Sequence, residues 1–280
     1  MISLEPFCFS TNNVPGKDLI RALDLAKTFG FSHVELAAID GISEQIDVEQ
    51  LSPQLLRRIH RELERRNLTC YAVSGHCDMT DDYAFFKLLK KIQFAGEIGA
   101  RVLNTRCGPK SRYAKFLDRV KEAADLASSY GVMLHLESYG DIVGPAKECG
   151  PVFREIGLEN VRFTYDAGNT FRFARGNICI DEDIRQATVV PSYLHMKDTC
   201  IRDGWIYQTP VGAGSLDIPK LLLALEQHTA ILPCSLEIPL SFRVRYHDLA
   251  FDFLNPSDDE ICHSIEQSIL YLNEIANIKL

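Results

Sequence analysis

The sequence lacks any long hydrophobic run, since no segment approaches the roughly 18 consecutive apolar residues that a membrane-spanning helix requires. Its first residues, from Met1 to Pro6, have neither the basic stretch nor the apolar stretch of a secretory signal peptide. We therefore expect a protein that neither crosses a membrane nor is exported.

Paired cysteines are also lacking. The nine cysteines are an odd number, and no C-x-x-C pair occurs among them. Disulfide frameworks and zinc knuckles need paired or regularly spaced cysteines, so this scatter is typical of reduced thiols. The sequence therefore predicts a cytoplasmic protein.

Basic charge is scarce as well. Lysine and arginine number 30 against 38 aspartates and glutamates, which gives a formal net charge of −8. Because binding to phosphate backbones or anionic lipid needs a basic surface, this balance argues against nucleic acid or a membrane as the main partner.

What the sequence does contain is a repeated unit. An amphipathic helical stretch ends at a glycine, and a short apolar or β-branched run follows it, as at Gly30, Gly99, Gly131 and Gly157. Glycine is suited to the left-handed position that closes a helix. Helices that alternate with strands in this way indicate parallel β-α-β units.

The repeat supplies eight predicted strands, at residues 4–9, 33–36, 69–74, 101–105, 132–136, 161–165, 192–196 and 233–236. A chain of 280 residues suits one closed (β/α)₈ barrel, which typically takes about 250. We predict a single TIM-barrel domain over residues 1–280. The alternative is an open doubly wound sheet, but no G-x-G-x-x-G motif follows the first strand.

One connection is unusually long. Residues 198–214, after the seventh predicted strand, are rich in glycine and are predicted to form an irregular loop. In a barrel such a loop lies over the mouth, where it can close on a bound molecule.

Four polar residues end four of the predicted strand runs: Glu137, Asp166, His195 and Glu237. A charged side chain at the end of an apolar strand is costly unless its charge is used. Strand ends of parallel α/β proteins are where active sites form. Three carboxylates and one imidazole suit Mn²⁺, Mg²⁺, Co²⁺ or Zn²⁺. The sequence therefore predicts a site for one divalent metal ion.

The alternation of side chains along a strand supports this interpretation. If Glu137 and Asp166 face the barrel interior, His135 and Thr164 do so too. The opposite face of these strands is largely apolar and is expected to lie beneath the outer helices.

In chain order these residues resemble the xylose-isomerase-like TIM-barrel superfamily of sugar isomerases and epimerases. The resemblance spans nearly the whole chain. It rests on Leu136–Glu137, DAGN at 166–169, HMKD at 195–198, VGAGSLD at 211–217 and Leu236–Glu237.

The resemblance implies roles for the site. Glu137, Asp166, His195 and Glu237 would hold one divalent ion, with manganese expected first. Glu137 and Glu237 would be catalytic, one removing a proton next to a carbonyl and the other returning a proton on the opposite face. The substrate would be a sugar, a sugar phosphate or a keto-polyol, converted through an enediolate.

One departure from the family pattern keeps alternatives open. Asn169 stands where ketose 3-epimerases usually carry histidine, and asparagine cannot titrate. A lyase or dehydratase acting on an inosose or keto-glycoside is therefore an alternative, as is a barrel that binds a sugar or a partner without turnover. The DNA-repair branch binds three zinc ions through a larger histidine set, which this chain lacks.

Further residues are predicted to contact the substrate. Asn169 is expected to orient a hydroxyl or a ligand carboxylate. The others end predicted strands or follow them, where side chains reach the barrel mouth: Glu35, His76, Arg106, Trp205 and Arg243. A homo-oligomer is compatible with the sequence.

Overall fold

A closed barrel of parallel strands forms the centre of the computed structural model, which describes residues 2–16 and 18–280. With strands numbered in chain order, the barrel comprises β1 Ser3–Ser10, β2 His33–Ala37, β3 Thr69–Ser74, β4 Val102–Thr105, β5 Met133–Glu137, β6 Val161–Asp166, β7 Tyr193–Met196 and β10 Ile231–Leu236. The first and last of these strands pair in parallel, for example Phe7 with Cys234, and this pairing closes the barrel. The predicted (β/α)₈ fold is confirmed.

Helices connect the barrel strands along the outside. They are α1 Leu19–Thr28, α2 Pro53–Glu64, α3 Asp82–Glu97, α4 Tyr113–Ser129, α5 Gly150–Ile156, α6 Ala167–Phe173, α7 Ile180–Arg185, α8 Ile218–Glu226 and α9 Asp258–Ile275. A short strand, β13 Asn277–Ile278, follows the last helix and pairs with β1. No helix in the described part of the chain is long and apolar enough to span a membrane.

An accessory antiparallel sheet lies beyond the carboxyl ends of the barrel strands. It contains β8 Asp198–Arg202, β9 Trp205–Thr209, β11 Phe242–Arg245 and β12 Phe251–Phe253. Residues 198–214 therefore begin with a hairpin, and the prediction of an irregular loop is wrong. Asp203 and Gly204 form its turn with positive φ angles of 51° and 77°. An Asp-Gly pair between alternating residues is a strong hairpin signal that the glycine-rich composition obscured.

The two faces of each barrel strand differ as the alternation predicts. Leu134, Leu136 and Phe163 belong to the large apolar core between the strands and the outer helices. Inside the barrel, His135 Nδ1 lies 3.0 Å from the hydroxyl of Thr164, which donates to Asn104 over 2.6 Å. The interior is thus polar and hydrogen-bonded, and it leads up to the strand ends.

Candidate metal centre

The four predicted metal ligands converge at the carboxyl end of the barrel. Glu137, Asp166 and His195 lie on β5, β6 and β7, and Glu237 directly follows β10. All four are buried, and one ligand atom from each lies within 4.8 Å of the others. His195 Nδ1 is 2.7 Å from Glu137 Oε1, 3.2 Å from Glu237 Oε2 and 3.9 Å from Asp166 Oδ2.

The charges of this cluster fit a bound cation. Lys197 Nζ lies 2.6 Å from Asp166 Oδ2 and 2.9 Å from Glu237 Oε2, and it faces three buried carboxylates. Burial raises the pKa of Asp166 to about 7. The nearby carboxylates of Glu137 and Glu237 also raise this pKa, whereas the positive charge of Lys197 lowers it. Within the described residues, Glu237 Oε2 accepts no hydrogen bond of acceptable angle. The four side chains therefore fit a divalent ion in both donor type and charge.

His195 is oriented by a carboxylate on its far side. Its Nε2 lies 3.1 Å from Glu35 Oε2, while Nδ1 points to the ligand cluster. Ser74 and Asn104 each donate to Glu35 Oε1 over 2.7 Å. Burial opposes ionisation, but His195 and these hydrogen bonds lower the pKa of Glu35 to about 2. A carboxylate behind a metal-ligating imidazole fixes its tautomer and orientation.

Two asparagines hold the candidate catalytic glutamates. Asn169 Nδ2 donates to Glu137 Oε1 over 3.2 Å, so it orients a ligand carboxylate. Asn12 Nδ2 donates to Glu237 Oε1 over 2.8 Å. Sequence reasoning missed Asn12, although its position just after β1 places it at the same end of the barrel as the other strand-end residues.

A cavity opens over the ligands. Its floor is formed by polar groups: Asn12, His76, Glu137, Asn169, Lys197 and Glu237. The remainder of the lining is more apolar and comes from loops, helix α6 and the accessory sheet: Ile39, Asp40, Ile42, Arg106, Tyr139, Arg172, Phe242 and Phe251.

The predicted substrate contacts divide into two groups. His76, Arg106 and Asn169 line the cavity. His76 Nδ1 is 3.4 Å from Glu137 Oε2, and burial lowers the pKa of His76 despite that carboxylate. Glu35 lies behind His195 instead, where it is fully buried and outside the cavity lining.

Trp205 and Arg243 are not brought into the cavity. They pack together on the accessory sheet, with the guanidinium carbon 4.0 Å from the indole ring centroid. Arg243 donates to Asp252 over 2.7 Å and to Tyr207 over 2.9 Å. This sheet reaches the cavity instead through Phe242 and Phe251, which sequence reasoning missed together with Tyr139 and Arg172.

The family model for the xylose isomerase-like TIM barrel matches residues 23–256. The chain belongs to this family. No curated protein matches the chain by sequence.

Solved structures with the same fold are distant in sequence. A xylose isomerase-like TIM barrel protein from Mycobacterium smegmatis, in complex with magnesium, is 17% identical with a TM-score of 0.71, covering 98% of each chain. The D-psicose 3-epimerase of Clostridium cellulolyticum H10, with D-tagatose, is 12% identical with a TM-score of 0.71, covering 98% of this chain and all of its own. The probable 3-DHS dehydratase AsbF of Bacillus anthracis is 12% identical with a TM-score of 0.66, covering 94% of this chain and 98% of its own.

Proposed function

We propose that the protein is a divalent-metal-dependent isomerase or epimerase that acts on a sugar, sugar phosphate or keto-polyol by proton transfer. The observation that carries the proposal is the convergence of Glu137 and Glu237 on one buried cluster, where both side chains line the cavity above it. Family membership and the resemblance to a ketose 3-epimerase support it.

The ion would be held by Glu137, Asp166, His195 and Glu237, and manganese is expected before magnesium, cobalt or zinc. When bound, it would act as a Lewis acid that lowers the cost of negative charge on the substrate's carbonyl oxygen. Lys197 adds a positive charge beside Asp166 and Glu237.

The two glutamates would exchange protons with opposite faces of a substrate carbon. In the barrel order β5-β6-β7-β10, two strands separate the strand that carries Glu137 from the strand that precedes Glu237. Burial opposes the ionisation of each glutamate. The pKa of Glu137 is nevertheless lowered by the charge that His76 and His195 carry when protonated, and the pKa of Glu237 is lowered by Lys197 and His195. Both are therefore carboxylates at neutral pH. One carboxylate accepts the proton next to the carbonyl. The other takes up a proton from solvent and donates it to the opposite face, which inverts that carbon, and the first glutamate then returns its proton to solvent.

Asn169 and Asn12 keep these carboxylates in position. Each donates to Oε1 of its glutamate, while Oε2 of Glu137 faces His76 and Oε2 of Glu237 faces Lys197. The amides cannot titrate, so they hold this geometry at any working pH.

Two experiments test the proposal. Metal analysis of the purified protein identifies the ion, and the protein with that metal restored is then assayed in deuterated water against a panel of ketoses, inososes and keto-glycosides. Wild-type protein should incorporate deuterium at the carbon next to the carbonyl, and Glu137→Gln and Glu237→Gln should each lose at least about 100-fold in kcat. The exposed Glu159→Gln is the matched control. Wild-type turnover by both active-site variants would overturn the two-carboxylate mechanism.

A metal-dependent lyase or dehydratase at the same site is the second candidate. Two observations favour it: the non-titrating Asn169 beside Glu137 and the resemblance to a dehydratase. It begins with the same proton abstraction but then expels a group from the next carbon. Loss of water and a conjugated, ultraviolet-absorbing product would identify it, whereas an epimer or isomer of unchanged mass supports the first candidate.

A further inference from the structure

We propose that the substrate carries an anionic group, a carboxylate or a phosphate, which Arg106 and Arg172 bind in the loop-built part of the cavity. This inference rests on the proposed function and narrows its substrate class. Arg106 follows β4 directly, and Arg172 lies in α6 after β6, so both project from the carboxyl end of the barrel.

Arg172 is the more unusual of the two residues because it is only 3% exposed yet lines the cavity. Its Nη2 is buried and has no hydrogen-bond partner among the described residues. A guanidinium is always charged and carries five N–H donors, so its burial without an acceptor is costly. An acceptor supplied by a bound ligand would remove that cost.

Tyr139 places the two guanidiniums on one cavity wall. Their central carbons lie 5.2 Å (Arg106) and 4.8 Å (Arg172) from the centroid of its ring, and Arg172 also lies 4.8 Å from the ring of Phe173. Cation–π stacking on Tyr139 uses only the faces of the two guanidiniums, so it does not satisfy the N–H donors, which point outward in the guanidinium plane. Nε of Arg106 is a second buried donor without a hydrogen-bond partner in the described chain.

The carboxylates that line the cavity are engaged elsewhere. Asp40 pairs with Lys87 and with Lys91, the latter over 2.8 Å. Glu137 and Glu237 belong to the metal-ligand cluster. No ion pair within the described residues joins Arg106 or Arg172 to an acid, so this wall of the cavity keeps uncompensated positive charge in an otherwise acidic protein.

The surroundings strengthen an anion contact at this wall. Ile39, Ile42 and Phe242 line the same cavity, and apolar neighbours exclude water and strengthen charge-assisted hydrogen bonds. Arginine is suited to both carboxylate and phosphate because its planar donor fork matches two oxygens of either group.

The first test is binding of inorganic phosphate and of malonate by isothermal titration calorimetry, with variants checked for folding by circular dichroism. Either anion should bind the wild-type protein, and Arg172→Met should weaken binding roughly 10- to 100-fold. The anion affinity of Arg172→Lys should lie between that of the wild-type protein and that of Arg172→Met. Arg101→Met removes the same charge from an exposed residue just before β4, at the opposite end of the barrel, and should bind as wild type does. Absence of anion binding by wild type, or unchanged binding by Arg172→Met, overturns the inference.

The second test compares substrates of one carbon skeleton: a neutral ketose, its phosphate and its carboxylate. The wild-type protein should prefer a charged member, and which one it prefers identifies the group. Arg172→Met and Arg106→Met should abolish that preference mainly through KM. Equal turnover of the neutral and charged members would overturn the inference and leave the proposed function standing. No turnover of any member by metal-loaded protein would overturn the proposed function, while the anion titration still reports on the arginines.

Discussion

Substitution of Glu35 by glutamine should weaken metal binding without touching a metal ligand. Glu35 faces His195 Nε2 at 3.1 Å and accepts hydrogen bonds from Ser74 and Asn104. Glutamine keeps the shape but removes the charge that orients the imidazole and makes it a better ligand. Loss of such a partner typically costs 10- to 100-fold in metal affinity, so the dissociation constant should rise by about that factor.

The same substitution should lower the free energy of unfolding. A Glu35 pKa of about 2 instead of the ordinary 4.5 corresponds to about 3 kcal/mol of favourable interaction with the ionised form. Glutamine keeps some of the hydrogen bonds, so this value is the upper end of the expected loss. Because the folded pKa is lowered, the contribution is complete above about pH 4.5 and disappears as the pH falls towards 2.

Two measurements check this prediction. Metal titration gives the change in affinity, and urea unfolding at several pH values gives the stability difference between wild type and Glu35→Gln, which should shrink on acidification. Glu159→Gln, at an exposed position, controls for the loss of one negative charge. A dissociation constant within twofold of wild type would refute the proposed role of Glu35.

Three further predictions concern the surroundings of the site. Asp198 accepts four backbone N–H bonds from the segment that follows β9 and from its own neighbour, so Asp198→Asn should destabilise the protein by about 1–3 kcal/mol in urea unfolding; the exposed Asp203→Asn is its control. Trp205 packs outside the cavity, so Trp205→Ala should change KM less than about twofold, whereas Phe242→Ala should raise it more than about fivefold. His195 is fully buried, which disfavours its charge, but the surrounding carboxylates raise its pKa well above the usual range. A metal must displace that proton, so affinity measured between pH 6 and 8 should rise up to about tenfold per pH unit, and a flat profile would contradict this.

The barrel and its metal ligands were predictable because each depends on a local signal. Glu137 and Asp166 end runs whose alternation separates a polar face from an apolar one, and that alternation decides which side chains point into the barrel. Once eight parallel strands are recognised, their carboxyl ends meet at one end of the molecule. Residues from distant parts of the chain then converge without further information.

The upper wall of the cavity could not be predicted in the same way. Trp205 and Phe242 lie on adjacent strands of the accessory sheet, yet only Phe242 lines the cavity. Which of the two side chains faces the cavity depends on the antiparallel register between β9 and β11, two strands that lie about 35 residues apart in the sequence. A one-residue change in register would reverse which side chains face the cavity. Arg172 was missed for a related reason, because its burial depends on Tyr139 and on the sheet above it.

This difference in predictability follows from how the site is built. In its lower layer, Glu35 lies behind His195 on barrel strands and accepts hydrogen bonds from Ser74 and Asn104, so a change there affects both stability and metal affinity. Its upper layer, with Arg106 and Arg172 stacked on Tyr139, is carried by loops and a short helix. Loops tolerate substitution better than packed strands. We therefore expect substitutions in the two layers to have different effects. Substitutions of the arginines should alter substrate preference while metal content and unfolding free energy stay close to wild type. Glu35→Gln should lower metal content and unfolding free energy while substrate preference stays close to wild type.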